Sequence, residues 1–138
     1  NNPSSLTINQ IYDWQEEGVI KFLGVQDDVR PFLAQSDCVV LPSYYNEGTP
    51  KCLLEAASMS KPIITTDWKG CKDTVDHGIN GLLCKPKDVQ DLYLCLNKMV
   101  GMSELDIQKL KSSSRKKAKM FDEKIVFNEY LKAIEANI

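Results

Sequence analysis

Apolar residues follow two spacings along the chain, and together they predict an alternation of helices and strands. Residues 6–17 and 28–35 have apolar positions near helical spacing, and Asp28 is expected to cap the second helix. Short apolar runs between and after these segments are typical of strands. The predicted strands lie within residues 19–23, 37–41, 62–66 and 78–84. Amphipathic helices are predicted over residues 89–100, 104–120 and 122–136.

Short strands separated by helices predict βαβ units with right-handed crossovers. The predicted fold class is therefore α/β, a doubly wound Rossmann-like parallel sheet followed by C-terminal helices. Such sheets bind ligands beyond the carboxyl ends of their strands, where helices begin. That edge contains residues 42–52 and the loops that follow Leu23 and Thr66. Ser43 and Tyr44 are expected to line a ligand site there.

Composition places the chain among soluble globular proteins of one domain. It has 138 residues, a net charge of −2 and 43% hydrophobic residues. Because no excess of basic residues is present, nucleic acid is not an expected partner. No apolar run approaches the roughly 18 residues of a membrane-spanning helix. The expected location is the cytoplasm, either free or peripheral at the inner face of the membrane. The chain begins at Asn1 without an initiator Met, which is a weak indication of a piece of a longer protein.

The cysteines and the histidine give no indication of a metal centre. The five cysteines are scattered without a Cys-x-x-Cys pair, which is typical of reduced thiols in a cytosolic protein. His77 is the single histidine, and its place before Gly78 in a turn favours a structural role. Asp27 and Asp28 are interpreted as a helix cap. Neither a metal nor an organic cofactor is expected.

A loop and a helix start within residues 47–55 carry the candidate chemistry. Gly48 allows a ligand to approach the backbone, and Thr49 is expected to cap a helix whose first residue is Pro50. The next amides, of Lys51 and Cys52, would lack acceptors within the helix. Together with the positive end of the helix dipole, these amides predict a diphosphate site.

Two carboxylates bracket that helix start. Glu47 precedes the helix and can reach over a ligand lying on it. Glu55 lies about a turn and a half inside, where its carboxylate can accept two hydrogen bonds from a vicinal diol such as ribose. Acidic residues near helix starts also stabilise helices in any protein. From the residues alone, a nucleotide site and two purely structural carboxylates both stay open.

Four blocks of sequence resemble, in the correct order, the C-terminal domain of glycosyltransferase family 4. The blocks are residues 37–43, 47–56, 61–67 and 78–83. Members of that family are retaining enzymes of the GT-B architecture, so the predicted fold is one half of a GT-B glycosyltransferase. The form of residues 44–50 resembles the branch that builds bacterial surface polysaccharides such as capsule and lipopolysaccharide, often on polyprenyl diphosphate and from UDP-sugars.

The resemblance implies a role for each matching residue. Glu47 corresponds to the family carboxylate that contacts the donor sugar, in the catalytic position, and Glu55 to the one that holds the ribose. The loop at Gly24 and Val25 corresponds to the segment that meets the base. The sugar and diphosphate would be met by the residues between the two carboxylates, which are Gly48, Thr49, Pro50, Lys51 and Cys52.

The resemblance also implies what lies outside the chain. Residues 1–138 would be the donor-binding C-terminal domain, with the acceptor-binding N-terminal domain and a diphosphate-binding Arg/Lys pair upstream. The expected reaction transfers a hexose or N-acetylhexosamine, with retention, from a UDP-sugar. The expected acceptor is a saccharide or a polyprenyl-diphosphate-linked sugar. Alone, the chain is expected to bind UDP weakly and to transfer nothing.

Two positions depart from the family pattern. Thr49 and Pro50 replace an aromatic residue and a glycine, which makes the loop stiffer and removes one amide. Ser60 replaces a glycine that follows the helix, with little expected cost.

Rival functions remain at this point. One half of a nucleotide-sugar epimerase and a noncatalytic nucleotide-binding module are the alternatives. A response-regulator receiver is disfavoured because Asp37 precedes its strand instead of ending it. Residues 111–119 hold five cations, which fit a solvated helix face or a peripheral contact with the inner face of an anionic membrane.

Overall fold

Three short parallel strands form the centre of the protein. The computed structural model describes residues 6–46 and 48–135, without the side chains of residues 126, 129 and 133. The strands are β1 (Val39–Leu41), β2 (Ile63–Thr66) and β3 (Gly81–Cys84), in the order β1-β2-β3. Ile63 pairs with Val39 on one side and with Gly81 on the other. The predicted parallel α/β sheet is thus confirmed.

Helices precede, separate and follow the strands. The fourth helix has the predicted bounds because Asp88 accepts a hydrogen bond from the Asp91 amide at its start and Gly101 follows its end. A short 3-10 turn, Lys72–Thr74, lies between β2 and β3. The helices are α1 (Ile8–Glu16), α2 (Arg30–Gln35), α3 (Lys51–Ser58), α4 (Val89–Val100), α5 (Glu104–Lys119) and α6 (Glu123–Glu135).

Apolar side chains cover both faces of the sheet. Ile63 belongs to a cluster with Leu53 of α3, whereas its neighbour Ile64 belongs to a second cluster with Met99 of α4. Successive strand residues point to opposite faces, so α3 and α4 lie on opposite sides of the sheet. Leu110 of α5 joins the second cluster. This arrangement confirms the doubly wound fold class.

The predicted strand at residues 19–23 is wrong. These residues have no regular secondary structure, and Val19 and Phe22 are 67% and 43% exposed. The Phe22 amide donates to the side chain of Gln15 at 2.9 Å instead of to a strand. A strand needs a neighbour to pair with, and among the described residues β1 pairs with β2 alone.

The predicted start of α3 is wrong by one residue. Pro50 is the N-cap residue, with φ −63° and ψ 126°, and no side chain caps the helix. The Pro50 carbonyl accepts hydrogen bonds from the Leu53 and Leu54 amides at 3.1 and 3.4 Å. Thr49 therefore lies one position before the cap, where its hydroxyl makes no capping bond. The predicted orphan amides of Lys51 and Cys52 become the first two of the helix.

The end of α3 shows what the departure at Ser60 costs. The Ser60 amide donates to Ala57 and the Lys61 amide to Ala56, at 3.0 and 2.9 Å, which is a Schellman motif. Ser60 adopts φ 60°, in the left-handed region. A residue with a Cβ atom pays about 1 kcal/mol there, which glycine avoids. The expectation of little cost is therefore wrong by roughly that amount.

A buried asparagine holds the turn before β3. The Asn80 side chain accepts from the Asp76 amide at 2.7 Å and donates to the Thr74 carbonyl at 2.9 Å. His77 accepts a hydrogen bond from the Leu83 amide through Nδ1 at 3.0 Å. The predicted structural role of His77 is confirmed.

Candidate functional site

The candidate site begins at the loop that connects β1 to α3. β1 ends at Leu41, and α3 runs back along the sheet, so its first turn lies at the carboxyl edge. The amides of Lys51 and Cys52 open that helix and have no acceptor within it. Glu47, the predicted catalytic residue, lies outside the described residues. The roles assigned to Gly48 and Thr49 stay predictions.

A cleft separates α3 from α2 and from the loop that leads into α2. Its volume is about 410 Å³, within the range of roughly 300–1,000 Å³ that is usual for ligand pockets. Glu55 lies on the α3 side, and Asp28 and Arg30 lie on the other. The cleft is lined by Asp27, Asp28, Val29, Arg30, Leu33, Glu55, Ser58 and Met59.

Glu55 is held only weakly by its neighbours. The Glu55 side chain is 36% exposed, and its Oε1 lies 3.6 Å from Nζ of Lys51, which is itself 90% exposed. An exposed pair of this kind contributes about 0.3–0.5 kcal/mol on a helix. A ligand hydroxyl can therefore reach the carboxylate at small cost.

The opposite wall is organised by one carboxylate. Asp28 accepts from the Arg30 amide at 3.0 Å and from its guanidinium at 2.8 and 2.9 Å. The side-chain hydrogen bond from Arg30 holds the pKa of Asp28 below its usual value. Asp28 was expected to be the N-cap of α2, but Val29 occupies that position. Asp28 lies one residue earlier because its bonds to Arg30 turn the chain before the helix begins.

The predicted base loop lies just before this wall. Gly24 adopts φ 66°, which favours glycine, and Val25 is 99% exposed. Neither residue lines the cleft, whereas Asp27 and Arg30 do. Sequence reasoning missed the wall because Asp27 and Asp28 were interpreted as a helix cap alone. Asp27 and Asp28 lie three and two residues before Arg30. This proximity of two carboxylates to a guanidinium was the one sequence feature that could have indicated the wall.

A second cleft of about 410 Å³ lies at the carboxyl ends of all three strands. Tyr44 lines it, and the Lys87 ammonium lies 4.8 Å from the Tyr44 ring centroid. The expectation that Ser43 and Tyr44 line a ligand site stays a prediction. Tyr44 also stacks on Tyr45, with ring centroids 5.1 Å apart. The Thr66 hydroxyl donates to the Ser43 carbonyl and ties the end of β2 to this loop.

The five cysteines differ sharply in exposure. Cys52, in the first turn of α3, is exposed, and Cys38 is half-buried. Burial raises the pKa of Cys52, and it raises the pKa of Cys38 to about 11. The remaining three, Cys71, Cys84 and Cys95, are buried.

The basic stretch of α5 is partly tied into the fold. Arg115 donates to the Ser58 carbonyl at the end of α3. Nζ of Lys117 lies 2.9 Å from Oδ1 of Asp76, and the Lys117 side chain is only 15% exposed. Two of the five cations therefore hold α5 against neighbouring elements. No helix in the described part of the chain is long and apolar enough to cross a membrane.

Among the described residues, no group of three or more His, Cys, Asp or Glu side chains is placed to hold a metal ion. The expectations of no metal and no cofactor stay predictions.

Comparison with protein families gives one match over most of the chain. Residues 3–101 match the family described as glycosyl transferases group 1. The matched residues include the strands, helices and loops that form both clefts, from the loop before α2 to the end of α4.

Two curated relatives illustrate the similarity. The chain is 30% identical over 131 residues to the N,N'-diacetylbacillosaminyl-diphospho-undecaprenol alpha-1,3-N-acetylgalactosaminyltransferase of Campylobacter jejuni, covering 95% of this chain and 33% of that protein. It is 26% identical to the lipopolysaccharide core biosynthesis glycosyltransferase LpsE of Rhizobium meliloti, covering 85% of this chain and 34% of that protein. The chain thus spans about a third of the length of these relatives.

Solved structures share the fold. The Anabaena protein HepE, solved in complex with UDP, matches with a TM-score of 0.78 and 24% identity, covering 94% of this chain and 35% of that one. The pneumococcal O-GlcNAc transferase GtfA, solved with UDP and GlcNAc, matches with a TM-score of 0.68 and 20% identity, covering 93% of this chain and 26% of that one.

Proposed function

The chain belongs to the group 1 glycosyl transferases, and from that membership we propose that it is the donor-binding domain of such an enzyme. The enzyme would transfer a hexose or N-acetylhexosamine, with retention, from a UDP-sugar to a saccharide or lipid-linked acceptor in bacterial surface polysaccharide assembly. One observation carries the proposal: Glu55, which lines the cleft between α2 and α3, lies only one helical turn beyond the free amides of Lys51 and Cys52. Membership in this family favours transfer over epimerisation.

Each part of the donor has a chemically suitable partner. The nucleoside lies in the cleft between α2 and α3, with its base against the Asp27–Arg30 side. The ribose hydroxyls donate to Glu55, because an ionised carboxylate is an acceptor only. The diphosphate lies on the amides of Lys51 and Cys52, at the positive end of α3. HepE, which has the same fold, has been solved with UDP and with UDP-glucose.

The proposed mechanism relies on positioning and on charge stabilisation. The bond from the sugar to the diphosphate breaks, so negative charge develops on the departing UDP. The α3 amides stabilise that charge together with an Arg/Lys pair supplied by the segment upstream. Glu47, outside the described residues, contacts hydroxyls of the sugar. Neither a metal nor an organic cofactor has a role in this scheme.

The acceptor is bound by an N-terminal domain that lies outside this chain. The name of the Campylobacter jejuni relative specifies a diphospho-undecaprenol acceptor, which supports a lipid-linked sugar as the acceptor class. We place the enzyme in the cytoplasm, at the inner face of the membrane where such an acceptor is exposed. The exposed cations of α5, such as Lys116 and Lys119, are available for peripheral contact with anionic lipid.

Protection of Cys52 from alkylation tests the donor site. Cys52 is the exposed thiol, and its side chain leans toward the start of α3, where the diphosphate would lie. Because burial raises its pKa, labelling by iodoacetamide should be slow near neutral pH and should still accelerate above about pH 8.5, the pKa of an ordinary thiol. Saturating UDP should slow labelling of Cys52, as measured by mass spectrometry of the modified peptide.

The controls for this experiment lie in the nucleotide and in the chain. GDP and ADP should protect less than UDP at equal concentration, and uridine without phosphates should protect least. Cys52→Ser should remove the protected label and leave the slow labelling of Cys38 unchanged. Labelling of Cys52 that is indifferent to every nucleotide would refute the proposed site.

A further inference from the structure

Lys61 links α2 and α3, which line the cleft, to α5. Its side chain is half-buried, and its Nζ donates to the carbonyls of Ala34 and Ser36 at 2.9 and 2.8 Å. Both carbonyls belong to the last turn and C-cap of α2. A cation at this end of a helix meets orphan carbonyls and the negative end of the dipole. Lys61 therefore caps α2 from a distant part of the chain.

The backbone of Lys61 is itself fixed. Its amide donates to Ala56 of α3 at 2.9 Å, and its carbonyl accepts from the Ser114 hydroxyl of α5 at 2.6 Å. Ser114 is fully buried, and β2 begins two residues later, at Ile63. The side chain of Lys61 thus extends to α2 from a rigid junction of α3, α5 and the sheet.

The helix α2 has few other attachments. None of its residues is fully buried, and Phe32 and Leu33 are half-buried. Within the described part of the chain, Lys61 is the one side chain from outside residues 28–36 that is hydrogen-bonded to α2. The position of this short helix therefore depends strongly on two bonds.

The position of α2 fixes one wall of the cleft. Arg30 begins α2 and Asp28 is bonded to it, while Glu55 lies across the cleft on α3. We propose that Lys61 is a positioning residue that holds α2 at the distance from α3 which the nucleoside requires. The inference rests on the proposed function, since it assigns the nucleoside to this cleft.

Substituting Lys61 and measuring UDP affinity tests the inference. Lys61→Met keeps the aliphatic stem and removes both bonds to α2, so calorimetric titration of the folded variant should show roughly three- to tenfold weaker UDP binding. Lys61→Arg, which can reach the same carbonyls, should restore most of the affinity. Lys109→Met is the matched control, because it makes the same substitution and removes an Nζ bond to Asp106 within α5, away from the cleft. Its UDP affinity should equal that of the wild type.

A second readout needs no nucleotide. Hydrogen exchange of the α2 amides should accelerate in Lys61→Met, relative to Lys109→Met, with α4 unchanged in both. Equal UDP affinity in Lys61→Met and the wild type, or equal weakening in Lys61→Met and Lys109→Met, would overturn the inference while the proposed function stands. If the wild type itself bound no UDP, the proposed function would fail, and unaccelerated exchange of α2 would separately refute the role of Lys61 as its anchor.

Discussion

Replacing Gly81 by alanine is expected to destabilise the fold by about 3 kcal/mol or more. Gly81 opens β3 and pairs with Ile63 of β2. A Cβ atom at this position would lie 2.1 Å from the Ile63 carbonyl oxygen and 3.0 Å from its amide nitrogen. Backbone atoms in the central strand cannot move aside as a flexible side chain can. Urea unfolding followed by circular dichroism measures the loss.

Gly101→Ala provides the matched control for that substitution. The added Cβ would meet the Asn97 carbonyl at 3.4 Å, which is close to ordinary contact, and the backbone there is right-handed. The unfolding midpoint of Gly101→Ala should therefore stay near that of the wild type. A wild-type midpoint for Gly81→Ala would show that β2 and β3 do not pair in this register.

Removing the Glu55 carboxylate is expected to weaken UDP binding about ten- to hundredfold. The carboxylate lies in the cleft beside α3, and its one ion pair within the described part of the chain joins Oε1 to Nζ of Lys51 at 3.6 Å. Two hydrogen bonds from ribose hydroxyls to an ionised acceptor would be lost in Glu55→Ala. Glu55→Gln keeps one neutral acceptor, so its UDP affinity should lie between those of the wild type and Glu55→Ala. Calorimetric titration gives the three affinities.

The ligand supplies the corresponding test from its own side. UDP that lacks the 2′ and 3′ hydroxyls should bind the wild type as weakly as UDP binds Glu55→Ala, and the variant should not distinguish the two ligands. Glu104→Ala, which removes an exposed carboxylate at the start of α5, should bind UDP like the wild type. If Glu55→Ala and the loss of the ribose hydroxyls weakened binding independently of each other, the ribose would not be bound by Glu55.

Local signals predicted the elements that depend on local chemistry. The bounds that the amphipathic pattern predicts for α4 are the observed ones, and Asp88 and Gly101 mark these two ends in the structure. The run at residues 19–23 has the composition of a strand, yet a strand exists only where a neighbouring edge accepts it. Thr49 was given the cap of α3 on residue type, although the carbonyl of Pro50 starts the helix.

The candidate site likewise has one part that local sequence predicts and one part that depends on tertiary contacts. Glu55 and the α3 amides could be predicted because residues eight or fewer positions apart on one loop and helix define them. The opposite wall at Asp28 and Arg30 could not, because α2 reaches the cleft only through tertiary contacts. Lys61, the anchor of that helix, is separated from Ala34 by 27 positions in the sequence. No local pattern records such a bond.

The central claim is that one continuous surface, from the start of α3 to the wall before α2, binds a nucleoside diphosphate. The most direct measurement is a titration of UDP into the isotope-labelled chain, followed residue by residue through its amide chemical shifts. The largest changes should occur at Lys51 and Cys52, at Glu55, and at Asp28 and Arg30 across the cleft. Shifts confined to α6 or to the second cleft, which contains Tyr44 and Lys87, would contradict the account, as would the absence of saturable shifts.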